Sequence, residues 1–187
     1  MELQDIFKQK KELRKKIALQ KREFDADQLM TMSGDVIANL EQTDQFIRAK
    51  TVFIYYSMPG EVFTHDLIRK HVGEKVFLLP LVGKDGLYLK KYISDDRMKI
   101  SGLGIHEPDG EVFVDYDKID LVVVPGVAFD RSMNRMGYGK AYYDGILPKI
   151  KALKVAVCFD FQLLESVPNT QTDVKMDMIV CQNKIIA

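Results

Sequence analysis

The chain carries no surplus of either charge: Lys+Arg and Asp+Glu both number 27, so the formal net charge is zero over 187 residues. Proteins that grip nucleic acid wholesale show a basic excess, so this balance argues against that class. No apolar run is long enough to span a bilayer, and the first residues are charged rather than signal-like. Neither a membrane span nor a secretory leader is therefore expected. Cysteine is scarce. Cys158 and Cys181 each sit in an apolar, strand-like run, where buried free thiols compete with a disulfide or a reactive site. His65, His71 and His106 show no zinc-ligand spacing with cysteine or with one another. Repeats, low-complexity tracts and linkers are also missing. The expectation is one domain over residues 1–187, cytoplasmic, and a monomer or weak homodimer.

What is present, 47% hydrophobic and 29% charged residues, is an ordinary globular composition. The most informative stretch runs from Asp120 to Asp144, DLVVVPGVAFDRSMNRMGYGKAYYD. Leu121 to Val124 read as a strand buried on both faces, stopped by Pro125-Gly126. Arg135-Met136-Gly137-Tyr138-Gly139-Lys140 follows, then Ala141 to Leu147, which suits a short helix before Pro148. Strand, glycine-bearing loop with two cations, then helix is the layout of a phosphate cradle, because glycines let backbone N–H groups approach an anion. A plain loop turn is the competing reading, since Gly-x-Gly alone is a weak motif. Asp144 offers the hard oxygens that Mg²⁺ prefers.

Elsewhere, residues 3–24 read as a helix with Leu3, Ile6, Phe7, Leu13 and Ile17 at helical spacing. Lys10 and Arg14 fall inside that apolar arc, within roughly 20° of the Leu3 direction at about 100° per residue. Either their stems pack on the core edge while the heads reach water, or they present two cations to an anion. A second helix is expected from Asp25 or Asp27 to Leu40, and a short third from Thr43 to Lys50. Strands are expected at Thr51–Tyr56, Lys75–Val82 with Pro80 at its exit, Leu87–Ile93, Lys154–Phe159 and, last, Met178–Cys181. Thr64 or Asp66 opens a helix through Val72, stopped at Gly73. Glu61 lies just past a strand end, in the usual place for a ligand contact, although a solvated loop glutamate fits equally. Asp173 and Asp177 suit turn chemistry or a metal. Strands alternating with helices predict a three-layer α/β/α fold with a mostly parallel sheet.

PGVAFDRSMNRMGYGKAYYD resembles the signature of the 5-formyltetrahydrofolate cyclo-ligase (5,10-methenyltetrahydrofolate synthetase) family, and the resemblance covers nearly the whole chain. Met133 and Ala141 stand where that family usually has glycine, which matters because Cβ resists φ > 0 and close approach. The family's fold, similar to the sugar-phosphate isomerase and CoA-transferase group, is implied as well. So is an ATP site comprising Lys10, Arg14 and the run Arg135, Met136, Gly137, Tyr138, Gly139, Lys140, Ala141, Tyr142 and Tyr143. Lys10-Lys11-Glu12-Leu13-Arg14 matches the family's Lys-x-x-Leu-Arg pattern in the first helix. The resemblance also implies folate contacts by Tyr56, Glu61, Tyr138 and Tyr142, and Mg²⁺ ligation by Asp144 and Asp173. Thr172 replaces a histidine frequent in the family, and Gly104-Ile105-His106-Glu107-Pro108 matches a turn or pocket-lining motif.

The implied activity is ATP- and Mg-dependent conversion of 5-formyltetrahydrofolate to 5,10-methenyltetrahydrofolate, with Lys140 and Arg135 offsetting charge on the transferring phosphoryl group. The alternatives are another ATP-dependent small-molecule kinase on the same fold, or a nucleic-acid-binding protein using the basic first helix.

Overall fold

The computed structural model describes residues 3–100 and 106–187; Gly102, Gly104 and Ile105 lie outside them. The basic N-terminal segment forms α1 (Leu3–Lys21). Asp25 then caps α2 (Ala26–Glu41) through a reciprocal capping box with Gln28, and Thr43 caps α3 (Asp44–Arg48). β1 (Thr51–Ile54) is followed by α4 (His65–His71), β2 (Val76–Gly83) and β3 (Gly86–Lys91). An excursion carries the small pair β4 (Met98–Ile100) and β5 (His106–Pro108), then β6 (Val112–Phe113). β7 (Leu121–Val124) leads into β8 (Ala128–Asp130), β9 (Arg135–Met136) and α5 (Tyr142–Ile146). β10 (Leu153–Val157), β11 (Leu163–Leu164), β12 (Met178–Val180) and β13 (Ile185–Ile186) complete the chain.

Eight strands form the main sheet in the order β13-β12-β10-β7-β1-β2-β3-β6. The pairs from β12 to β2 are parallel; β13, β3 and β6 add antiparallel edges. Alternation along each strand feeds two cores. Val52, Ile54, Leu121 and Val123 pack against Val36, Leu40, Phe46, Leu67 and Ile68 from α2, α3 and α4. Phe53, Val122 and Val124 face the other way, onto Ile146, Leu147 and Ile150 of α5 and the turn after it. These are the expected three layers. Cys158 and Cys181 are buried free thiols, Sγ to Sγ 3.3 Å, on adjacent parallel strand ends.

Four local expectations are corrected. Pro80 does not end β2, which continues to Gly83. The parallel register with β1 stops at Phe53↔Leu78, so Pro80 sits where β2 has lost that neighbour, and an edge tolerates the missing N–H. Met178–Val180 is not the last strand, because Ile185 and Ile186 fold back antiparallel on it. The segment between β7 and α5 is not a simple loop, since β8 and β9 form a hairpin joined by β11 into a second, three-stranded sheet. Pro148 does not stop the helix from outside but lies in a 3₁₀ turn, Leu147–Lys149, that extends it.

Among the described residues, no α1 side chain belongs to either of the two main-sheet core clusters. Its Ile17 meets Val127, Ala128, Met136 and Val167 around the small sheet. From there Arg14 reaches Gly137, just past β9, and Lys10 reaches Asp173, between β11 and β12.

Candidate active site

The end of β7 is fixed first. A Cβ at Gly126 would stand 2.4 Å from the Phe129 ring, so only glycine fits the turn. Gln162, buried, donates from Nε2 to Gly126 O at 3.0 Å and to Val127 O at 3.1 Å, while its Oε1 accepts from Phe159 N. The hairpin is then closed by Asp130, whose buried carboxylate accepts from Ser132 N, Asn134 N, Asn134 Nδ2 and Val167 N at 2.8–3.0 Å. Sequence reading gave Asp130 no role. Its position two residues before Ser132 and four before Asn134 is the available signal for such a turn.

Arg135 leaves β9 buried. Nη2 donates to Asp144 Oδ1 at 2.8 Å, Nη1 to Pro125 O at 3.3 Å, and Nε is buried with no partner among the described residues. The two loop glycines make room for guanidinium groups. A Cβ on Gly137 would lie 2.8 Å from Arg135 Nη1, and one on Gly139, at φ +95°, 3.3 Å from Arg14 Cζ. Arg14 in turn donates from Nε to Gly137 O at 2.9 Å, which ties α1 to the loop. The pair of glycines serves side-chain packing as well as backbone freedom.

One turn earlier on α1, the buried Lys10 ion-pairs with Asp173, whose Oδ2 also accepts from Thr170 N at 2.6 Å. Burial alone would raise the Asp173 carboxyl. The Lys10 ammonium and the Thr170 donors outweigh it and hold the group below the usual carboxylate range. Val174 N reaches Asp144 Oδ1 at 3.4 Å, so Asp144 and Asp173 are neighbours across the strand ends.

These groups surround a cavity of about 1200 Å³, lined by Lys10, Arg14, Arg135, Lys140, Asp144 and Asp173 among others. Lys140 is exposed on its wall and forms no ion pair among the described residues. Tyr138 and Tyr142 line it with half and about a third of their surface exposed. Tyr143 also borders the cavity but stacks on Phe53, ring centroids 5.8 Å apart, and Arg135 Cζ lies over the Tyr143 ring, 5.6 Å from its centroid.

Glu61 sits behind Tyr138. Its Oε2 accepts from Met58 N at 2.9 Å, and burial together with Glu61 pushes the Tyr138 hydroxyl well above its ordinary range. The stem of Lys21 lies over Gly60, bringing the last turn of α1 to the same loop. Tyr56 is set apart from this cavity. It stacks on His65 at 3.5 Å between ring centroids, lies 5.6 Å from His106, and donates to Asp95 Oδ1 at 3.1 Å. Asp95 also holds Tyr92 and Arg69.

Sequence reasoning overlooked one wall. Leu3 and Phe7 belong to the apolar stripe of α1, but only Ile6 and Ile17 of that stripe are buried. Leu3 and Phe7 instead line the cavity, together with Asn169, Thr170, Gln171 and Thr172.

The family model for the 5-formyltetrahydrofolate cyclo-ligase family matches residues 6–182. A probable 5-formyltetrahydrofolate cyclo-ligase from Schizosaccharomyces pombe is 30% identical over 176 residues, 83% of this chain and 86% of the relative. The Escherichia coli 5-formyltetrahydrofolate cyclo-ligase is 26% identical over 178 residues, 90% and 98% respectively. The solved structure of Aquifex aeolicus 5,10-methenyltetrahydrofolate synthetase superposes with a TM-score of 0.85 at 34% identity, covering 95% of this chain and 91% of that one. The Mycoplasma pneumoniae 5,10-methenyltetrahydrofolate synthetase, at 20% identity and a TM-score of 0.74, shares the fold. With the family signature folded around one cavity, the chain belongs to the 5-formyltetrahydrofolate cyclo-ligase family.

Proposed function

We propose that the chain converts 5-formyltetrahydrofolate and ATP to 5,10-methenyltetrahydrofolate, ADP and phosphate, with Mg²⁺ accompanying the nucleotide. Family membership supports the reaction, and one observation supports its location. Four cations from two distant segments, Lys10 and Arg14 on α1 and Arg135 and Lys140 after β8, converge on one cavity with two carboxylates. Such a site suits a polyphosphate.

The chemical difficulty is the formyl oxygen, a poor leaving group. Transfer of the γ-phosphoryl group makes it part of a phosphate ester; N10 then attacks the formyl carbon, the ring closes, and inorganic phosphate departs with that oxygen. The protein holds donor and acceptor in line and offsets charge on the transferring group. Lys140, exposed at the cavity wall and in no ion pair among the described residues, is our candidate for that charge. Arg135 is fixed by Asp144 and Pro125, so it positions as well as charges the site. Lys10 and Arg14 take the other end of the phosphate chain. Tyr138 and Tyr142 offer aromatic faces to the folate, and Glu61, which does not itself line the cavity, lies beside the Tyr138 hydroxyl and orients it.

The donor set fits Mg²⁺. Asp144 and Asp173 bring carboxylate oxygens to adjoining points of the wall, and this ion is held by one or two carboxylates together with phosphate oxygens and water. When bound, it would neutralise charge on the phosphate oxygens. Arg135 and Lys10 now occupy those two carboxylates, so nucleotide and metal would share out these ion pairs on arrival. Incubation of the purified protein with 5-formyltetrahydrofolate, ATP and Mg²⁺ tests the reading. The conjugated methenyl product should appear by absorbance and depend on all three; a folded protein that forms a stable phosphorylated product instead would favour a different kinase.

A further inference from the structure

Leu3 and Phe7 are 63% and 61% exposed, one helical turn apart. Single exposed apolar residues are ordinary on a surface. These two share a concave wall, and the next residues on their stripe are Lys10 and Arg14. Positions 3, 7, 10 and 14 repeat at steps of four, three and four, so one line along α1 reads apolar, aromatic, cation, cation. At 1.5 Å per residue, Phe7 precedes Lys10 by roughly 4–5 Å and Arg14 by about 10 Å along the axis. A nucleoside triphosphate has the same order of parts: a flat base, a sugar, then an anionic chain. The lower half of α1 packs on the small sheet through Ile17, while its upper half faces the cavity. The same cavity is lined by the exposed Gln171, which offers an amide, and by Thr170 and Thr172, whose hydroxyls pair at 3.0 Å.

We propose that Phe7, supported by Leu3, is the platform on which the adenine of ATP lies, so that α1 binds the nucleotide along a single stripe from base to phosphates. The proposal rests on the nucleotide reading of this cavity and adds residues that read the base. Gln171, on the lining of the same cavity, is the polar group available to the edge of the base.

The test compares dissociation constants of ATP and of inorganic tripolyphosphate, both with Mg²⁺, by calorimetry. Phe7→Ala should weaken ATP about tenfold or more, in keeping with aromatic–base stacking, and leave tripolyphosphate unchanged. Phe7→Trp should preserve ATP binding, whereas Lys10→Ala should weaken both ligands. The ligand-free melting temperature of Phe7→Ala should match the parent, because the ring is exposed. An unchanged ATP constant in Phe7→Ala, or an equal loss for tripolyphosphate, would overturn the platform while leaving the phosphate site standing. Failure of the parent protein to bind either ligand would overturn the nucleotide reading itself.

Discussion

Lys140 and Ala141 are neighbours with opposite expected consequences. Lys140 contributes little to the core, because its side chain is exposed and forms no ion pair among the described residues. Lys140→Ala should therefore abolish most turnover at saturating ATP while leaving the urea midpoint within experimental error, and Lys140→Arg should rescue only part, its wider charge being placed differently. Ala141 sits at φ +53° and Met133 at φ +65°, the two described non-glycine residues in the left-handed region. Both are positions at which the family resemblance implied glycine, and the backbone there takes the positive φ that glycine would adopt freely. Ala141→Gly should stabilise the fold by about 0.5–1 kcal/mol, the relief of the left-handed penalty less the entropy of glycine, read as a raised urea midpoint at constant slope. Met133→Gly should give no such gain, because its side chain also packs on the core that it would leave. Buried polar residues were harder to foresee. Lys75 donates to Phe46 O, Ile47 O and Ala49 O, closing the end of α3, and no local pattern distinguishes it from the chain's other lysines.

Among the elements, α1 was legible as a helix with two inward cations, but not as a helix with two different partners. Periodicity gives a direction around the axis and says nothing of what stands opposite each turn. Ile17 finds the small sheet, whereas Phe7 finds the cavity. β8, β9 and β13 escaped notice for another reason. Each has two or three residues, too few for alternation to register, and β8 and β9 are held by the Asp130 turn. The two faces of α1 separate a structural helix from a ligand-binding one. Lys10→Ala and Arg14→Ala should each weaken ATP severalfold or more, since charge-assisted hydrogen bonds are lost. Lys11→Ala combined with Lys15→Ala should leave nucleotide affinity unchanged, both being exposed. Equal effects from both faces, measured as dissociation constants, would make α1 a packing element.

Taken together, the parallel strands, their order-of-magnitude lengths and the three layers could be read from apolar runs separated by turn residues, because a doubly covered sheet demands such runs. Long-range pairing between Lys10 and Asp173 lies 163 residues apart in the chain and has no local signature. Such pairs also govern the response to acid. Asp173, Asp95 and Glu41 are each held below the usual carboxylate range; burial opposes this, and their hydrogen-bonded partners outweigh it. A depressed folded value contributes stability above the unfolded pKa and loses it as pH falls toward the folded one. The urea midpoint should therefore decline below about pH 5. Lys10→Ala should flatten that decline, and an identical profile in the variant would remove this pair from the explanation.

The proposed chemistry sends the formyl oxygen out as part of phosphate. With 5-formyltetrahydrofolate labelled with ¹⁸O in the formyl group, mass spectrometry of the inorganic phosphate should find one ¹⁸O per phosphate released, matched by one methenyl product. Unlabelled phosphate accompanying the same methenyl product would contradict phosphorylation of that oxygen, and with it the role assigned to this cavity.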